Sequence, residues 1–216
     1  MKSSQGKWLR TIGVVAGSGL AIAGFSPAAF ASAHAKPANA TCSGTLADGT
    51  YKDVTVAAGQ SCTLTSGVIV QHDLKLGKGS SLVDTGVAIG HDLHASGATG
   101  ISVSGGSAGH DVKIDNSSSS VSISGVTIGH DAKVTNGGGS VSVVGDTVSH
   151  NVKVTNNSGA VAVSSNTVTG NIEVTNNSPG GATVLANSDK GCKQNNNHPY
   201  LGSANNKAGN CDGSNN

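Results

Sequence analysis

Beyond residue 30 the chain contains no arginine, no tryptophan and no phenylalanine, and Tyr51 and Tyr200 are its only aromatic side chains. A conventional globular core needs large apolar groups that are missing here. Nucleic-acid binding is excluded too, because it draws on arginine forks and aromatic stacking platforms. No proline falls between Pro37 and Pro179 and no cysteine between Cys62 and Cys192. The missing prolines leave every backbone N–H of that stretch free to join an interstrand ladder. No apolar run reaches the ~20 residues that a membrane span requires. What fills the chain instead is Gly, Ser, Asn, Thr and small aliphatics, a composition that by itself would describe a disordered polymer. Its periodicity says otherwise.

The first forty residues stand apart. Lys2, Lys7 and Arg10 precede an uncharged, mostly apolar stretch from Thr11 to Phe25, interrupted by Gly13, Gly17 and Gly19. This is the layout of a cleaved secretory signal peptide. Ala29-Phe30-Ala31, Ala31-Ser32-Ala33, Ala33-His34-Ala35 and Ala38-Asn39-Ala40 each offer the small-x-small pattern of a cleavage site. The expected organisation is a signal peptide and short mature N-terminal segment over 1–40, a repeat domain with end caps over 41–212, and a disordered tail over 213–216.

Within the repeat region an acidic or amide column recurs at Asp53, Asp73, Asp92, Asp111, Asp131, Asn151 and Asn171, with steps of 19 or 20 residues. Apolar columns keep the same step. Two follow the acidic column, at Val54, Leu74, Leu93, Val112, Ala132, Val152, Ile172 and at Val56, Leu76, Ala95, Ile114, Val134, Val154, Val174. A third runs through Val70, Ile89, Ala108, Ile128, Val148 and Val168, and a fourth through Cys62, Leu82, Ile101, Val121, Val141 and Val161. Alternation with period two inside a repeat of about twenty residues is the mark of a β-solenoid, with Gly, Asn and Ser at the corners. The predicted fold is all-β: a single-stranded right-handed parallel β-helix, the hand following the general preference of parallel crossovers. Roughly seven turns at ~4.8 Å would give a rod of about 34 Å. An inward Asn column is expected at Asn116, Asn136, Asn156 and Asn176. Five or six inward aliphatics per turn cannot offset backbone ordering at ~1–2 kcal/mol per residue, so a lone turn does not fold and the ends need covers.

The cysteines sit at those ends. Cys42 precedes Cys62 by one period and Cys192 precedes Cys211 by nearly one. Stacked turns fall inside the Cα window of about 4.4 to 6.8 Å for a disulfide, which favours Cys42–Cys62 and Cys192–Cys211 among the three formal connectivities. Such staples belong to an oxidising compartment. Zinc on the four cysteines is disfavoured by the absence of CxxC spacing.

"GTYKDVTVAAGQSCTLTSGVIVQHDLKL" at the front, "TVTGNIEVTNN" in the middle and "CKQNNNHPYLGSANNKAGNC" at the end resemble small secreted bacterial proteins of the right-handed parallel β-helix type. The resemblance covers most of the chain beyond the leader. It implies a secreted, disulfide-capped β-helix and brings no catalytic or binding residues. Those relatives usually carry Gly-Asn where this chain reads His-Asp.

His72, His91, His110, His130 and His150 form a column beside Asp73, Asp92, Asp111 and Asp131, and Gly170 returns to the glycine pattern. The plain reading is a solvated corner on which imidazoles stack and hydrogen-bond to neighbouring aspartates. The sharper one is capture of zinc or copper between turns by these nine residues. A third is acid sensing, since imidazoles gain charge near pH 6.5. Lys75, Lys113, Lys133 and Lys153, with His94 and Glu173 in register, form a second outward column. It serves solubility or meets an anionic polymer.

Parallel β-helices include polysaccharide lyases and hydrolases, but here the signs of catalysis are missing. No arginine remains to act as a lyase base, carboxylates repeat rather than converge, and no GxSxG elbow occurs. Thr127, Thr147 and Thr167, joined by Thr135, Thr155 and Thr175, suggest an ice-binding face. The leading expectation is a non-enzymatic, secreted structural or interaction protein, without cofactor unless the histidine column binds metal. Its partner would be cell-wall or extracellular polysaccharide or another surface protein.

Overall fold

The computed structural model describes residues 36–204 together with Asn206 and Cys211. Residues 1–35 of the expected leader segment 1–40, and the expected tail 213–216, lie outside the described residues. Among those described, every regular element is a β-strand. The reason is local. Valine, isoleucine and threonine alternate with polar residues over three to five positions, and Gly or Asn then turns the chain.

One turn illustrates the rest. Ala132–Thr135 runs extended, Asn136 turns the chain at φ 57°, Val141–Val144 forms the second side, Gly145 turns it again at φ 71°, and Thr147–Val148 closes the third. Positive φ is a conformation that Asn tolerates better than most non-Gly residues, and Gly adopts it freely. The next turn begins in register on top of the first, with Ala132 beside Val152 and Val134 beside Val154. Repetition yields three parallel sheets, two of nine strands and one of seven. The seven-stranded sheet marks seven three-sided turns, and the two further rungs at the C-terminal end lack a third strand. Solenoid pairing starts at Ala40, opposite Val54, so cleavage after Ala40 would cut into the first rung.

All four apolar columns point inward and are buried along their length, so the core is a continuous stack of Leu, Ile, Val and Ala. Both disulfides form as spaced: Cys42 to Cys62 with Cα atoms 5.6 Å apart, and Cys192 to Cys211 at 4.6 Å.

The structure corrects two details. Asn116, Asn136, Asn156 and Asn176 do not point inward; they are exposed, with φ of 57 to 59°. The left-handed residue consumes one position without alternation, so the following residue turns in, and the inward amides are Asn157, Asn177 and Asn197. Asn157 Oδ1 accepts the Gly137 N–H at 2.7 Å, and Asn177 and Asn197 each accept both the backbone N–H and the side-chain Nδ2 of the preceding asparagine, as Asn177 does for Asn157 at 3.0 and 2.9 Å. At a second corner Asn166 accepts the Asp146 N–H, and Asn187 and Asn206 each accept both donors of the preceding asparagine. The two threonine rows also separate. Thr127, Thr147 and Thr167 are exposed, whereas Thr135, Thr155 and Thr175 are buried. The six threonines therefore do not share one exposed face, and only Thr127, Thr147 and Thr167 form an outward row.

Candidate functional site

The Gly-His-Asp corner is built by close approach of successive turns. A methyl group on Gly109 would collide with the carbonyl oxygen of Gly90, and one on Gly129 with that of Gly109. Glycine before the histidine avoids this collision at His91, His110 and His130, whereas Ser149 holds the same position before His150. The backbone carries the column upward: His91 N–H donates to His72 C=O at 3.0 Å, His110 to His91 at 3.0 Å, and His130 to His110 at 3.0 Å.

The rings follow the backbone. His91, His110, His130 and His150 stack face to face, with centroids 5.0, 4.7 and 4.6 Å apart. Beside them the aspartates form a ladder of their own, because Oδ1 of each accepts the backbone N–H of the next: Asp111 from Asp131 at 3.0 Å, Asp131 from Asn151 at 2.9 Å. This bond fixes the carboxylate plane. The same Oδ1 also lies against Nδ1 of the next histidine, at 2.9 Å for Asp92 and His110, 2.7 Å for Asp111 and His130, and 2.7 Å for Asp131 and His150. Oδ2 faces back to the histidine of its own turn, at 3.1 Å for Asp92 and His91, 3.5 Å for Asp111 and His110, and 3.7 Å for Asp131 and His130. Asp92, Asp111 and Asp131 are thus each held between two imidazoles.

The electrostatics follow from these contacts. Donation of its Nδ1–H to the Asp92 carboxylate raises the pKa of His110, and the charges of Asp111 and Asp131 add to it. Partial burial works to raise the Asp111 carboxyl, but the Asp131 N–H and the His130 and His110 rings outweigh it and hold the group below its ordinary value. Asp73 is lowered likewise: burial opposes, and Lys75, His91 and the Asp92 N–H prevail.

Of the nine metal-ligand candidates, seven come together in three overlapping sets: His91, Asp92, His110; His110, Asp111, His130; and His130, Asp131, His150. In each set the ligand atoms lie within 4.8 Å of one another. His72 and Asp73 fall outside them. His72 Nδ1 is 3.9 Å from Asp53, and Asp73 is engaged by Lys75 Nζ at 2.9 Å and His91 Nδ1 at 3.1 Å.

The lysine column runs alongside on the first sheet, where Lys75, His94, Lys113, Lys133, Lys153 and Glu173 pair in register. Lys153 Nζ meets Glu173 at 2.9 Å. Surface depressions lie between the two columns, one lined by Asp131, Lys133, Asn151, Lys153 and Glu173, another by Asp73, Lys75, Asp92, Asp111 and Lys113.

No family model, curated protein or solved structure matches the chain. The β-solenoid fold is assigned from the strand pairing itself.

Sequence reasoning missed two buried acids. Asp84 and Asp146 are 1% exposed, and desolvation pushes both carboxyls up to about 6. Asp146 heads the second amide ladder: its Oδ1 accepts the Val126 N–H at 2.7 Å, its own N–H donates to Asn166 Oδ1 at 2.9 Å, and its buried Oδ2 has no hydrogen-bond partner. The twenty-residue step from Asp146 to Asn166 was the available signal.

Proposed function

We propose that this β-solenoid is a secreted, non-enzymatic structural or interaction element of the cell surface or extracellular space. The observation that carries the reading is the column itself. Strands follow one another from turn to turn through the three sheets, so polar groups appear in parallel rows at fixed spacing instead of converging around one reacting atom. Catalysis requires convergence of nucleophile, base and charge stabiliser on a single locus. A row suits a repetitive partner.

Two disulfides one turn deep fit an oxidising compartment, and the likeness of the repeat region and its cysteine-bounded end to small secreted bacterial β-helix proteins points the same way. The face with most chemistry carries carboxylates and imidazoles in one row and ammonium groups in the next. Cell-wall or extracellular polysaccharide, or another surface protein, is the partner this face would meet through many weak polar contacts. The test is to fractionate producing cells into medium, wall, membrane and cytosol, then to cross-link through amines. Recovery outside the cytosol, with adducts at Lys133 or Lys153 to one glycan or protein, is expected. Retention of the reduced chain in the cytosol, or release of sugar fragments from a polysaccharide panel, contradicts it.

A further inference from the structure

A run of exposed histidines is ordinarily a solvated edge, and stacked rings beside aspartates are explained by that alone. The arrangement here goes further. Asp92, Asp111 and Asp131 are each fixed by a backbone N–H, and each lies between the Nδ1 atoms of two consecutive turns. The pairs His91 Nδ1 to Asp92 Oδ2, 3.1 Å, and Asp92 Oδ1 to His110 Nδ1, 2.9 Å, already have the separations of atoms sharing one ion with bonds of ~2.0–2.1 Å. Four carboxylates, Asp73, Asp92, Asp111 and Asp131, line the column, and Lys75 engages only the first of them.

We propose that this ladder holds two divalent transition-metal ions, zinc(II) or copper(II), one between His91, Asp92 and His110 and the other between His130, Asp131 and His150. The number two comes from the overlap of the sets. The middle set, His110, Asp111 and His130, shares a histidine with each neighbour, so filling it empties both. Filling the outer two uses no residue twice. Charge agrees: ions one turn apart would sit ~4.8 Å from each other, and skipping a turn doubles that distance and halves their repulsion. The ion takes the place of the proton that each Nδ1 shares with the carboxylate. A neutral ring keeps its proton by carrying it on Nε2. Half-exposed rings can tilt to bring their Nδ1 atoms closer, at the expense of stacking. Three protein ligands leave a position for water or a donor from outside. The proposal concerns the same face as the function above but does not depend on where the protein is located or on its partner.

Calorimetric titration of the chain with zinc chloride or copper(II) chloride at pH 7.5 should give two equivalents. Asparagine is tolerated in the aspartate column, as Asn151 shows by accepting the Asn171 N–H at 2.9 Å, so Asp→Asn variants keep the backbone ladder. Asp92→Asn should bind one ion and Asp111→Asn should still bind two. His72→Gly should bind two, His91→Gly one, and the double variant His110→Gly/His130→Gly none. Copper(II) electron paramagnetic resonance should show coupling to two imidazole nitrogens. Absence of binding by the parent chain overturns the proposal, and so does an equal effect of Asp92→Asn and Asp111→Asn. A stoichiometry that simply scales with the number of histidines overturns it as well. None of these failures bears on the scaffold role.

Discussion

The two halves of the solenoid solve the same corner in different ways. At the first corner the inward residue is Ala98, then Ser117, then Gly137, and from there Asn157, Asn177 and Asn197. At the second it is Val87 and Val126, with an exposed Gly106 between them, then Asp146, then Asn166, Asn187 and Asn206. The N-terminal half also carries the larger aliphatics, with Leu64, Leu74, Leu82 and Leu93 fully inside. The C-terminal half replaces bulk with amides whose donors and acceptors are matched: Asn177 Nδ2 reaches both Asn197 Oδ1 at 2.8 Å and the Val154 carbonyl at 3.1 Å. A narrow coil can therefore close its interior by burying leucine or by running hydrogen bonds along its axis. The second route works only where the neighbouring turn supplies the next amide.

If that contrast holds, the largest loss comes from breaking the amide ladder in the middle. Asn177→Ala strips the Asn157 N–H and Nδ2 of their acceptor and the Val154 carbonyl of a donor, so stability should fall by roughly 3–5 kcal/mol in urea denaturation. A loss below 1 kcal/mol would show the ladder to be ornamental. Leu74→Ala in the aliphatic half should cost about 3 kcal/mol by cavity formation, read from the same unfolding curves.

Asp146→Asn joins the two solutions and should be stabilising. In the parent, the folded-state carboxyl titrates near 6, above its ordinary 3.8. The stability it contributes is complete below pH ~3.8 and is lost as pH rises through ~6. The amide has no such loss, so the variant should gain roughly 2–3 kcal/mol at pH 8 and almost nothing at pH 4. Equal gains at both pH values would refute the buried-charge account. The smallest effect belongs to the surface. Lys153→Ala removes an exposed ion pair with Glu173 and should change stability by less than ~0.5 kcal/mol, with salt erasing the difference.

The aliphatic columns and both disulfides were legible in the sequence because a constant step brings equivalent positions together whatever the corners do. The amide ladders were not. Asn116, Asn136, Asn156 and Asn176 keep the step as faithfully as Asn157 and Asn177, and only backbone φ distinguishes the outward set from the inward one. Thr135 shows the same difficulty: alternation from Val134 assigns it outward, yet it is buried just before the left-handed Asn136, its hydroxyl donating to the Asp115 carboxylate. The histidine column was visible as a row. Which nitrogen met which carboxylate depended on the tilt of the corner, and periodicity carries no record of that.

The column does not run the full length of the rod. Asn151 ends the aspartates and Gly170 the histidines, and in the adjoining row Glu173 follows Lys153 and pairs with Lys193. The imidazoles and their aspartates therefore crowd the forward part of this face, and Asn151 and Asn171 succeed them behind. The object has a head and a tail, so a linear polymer laid against it meets a different surface when reversed.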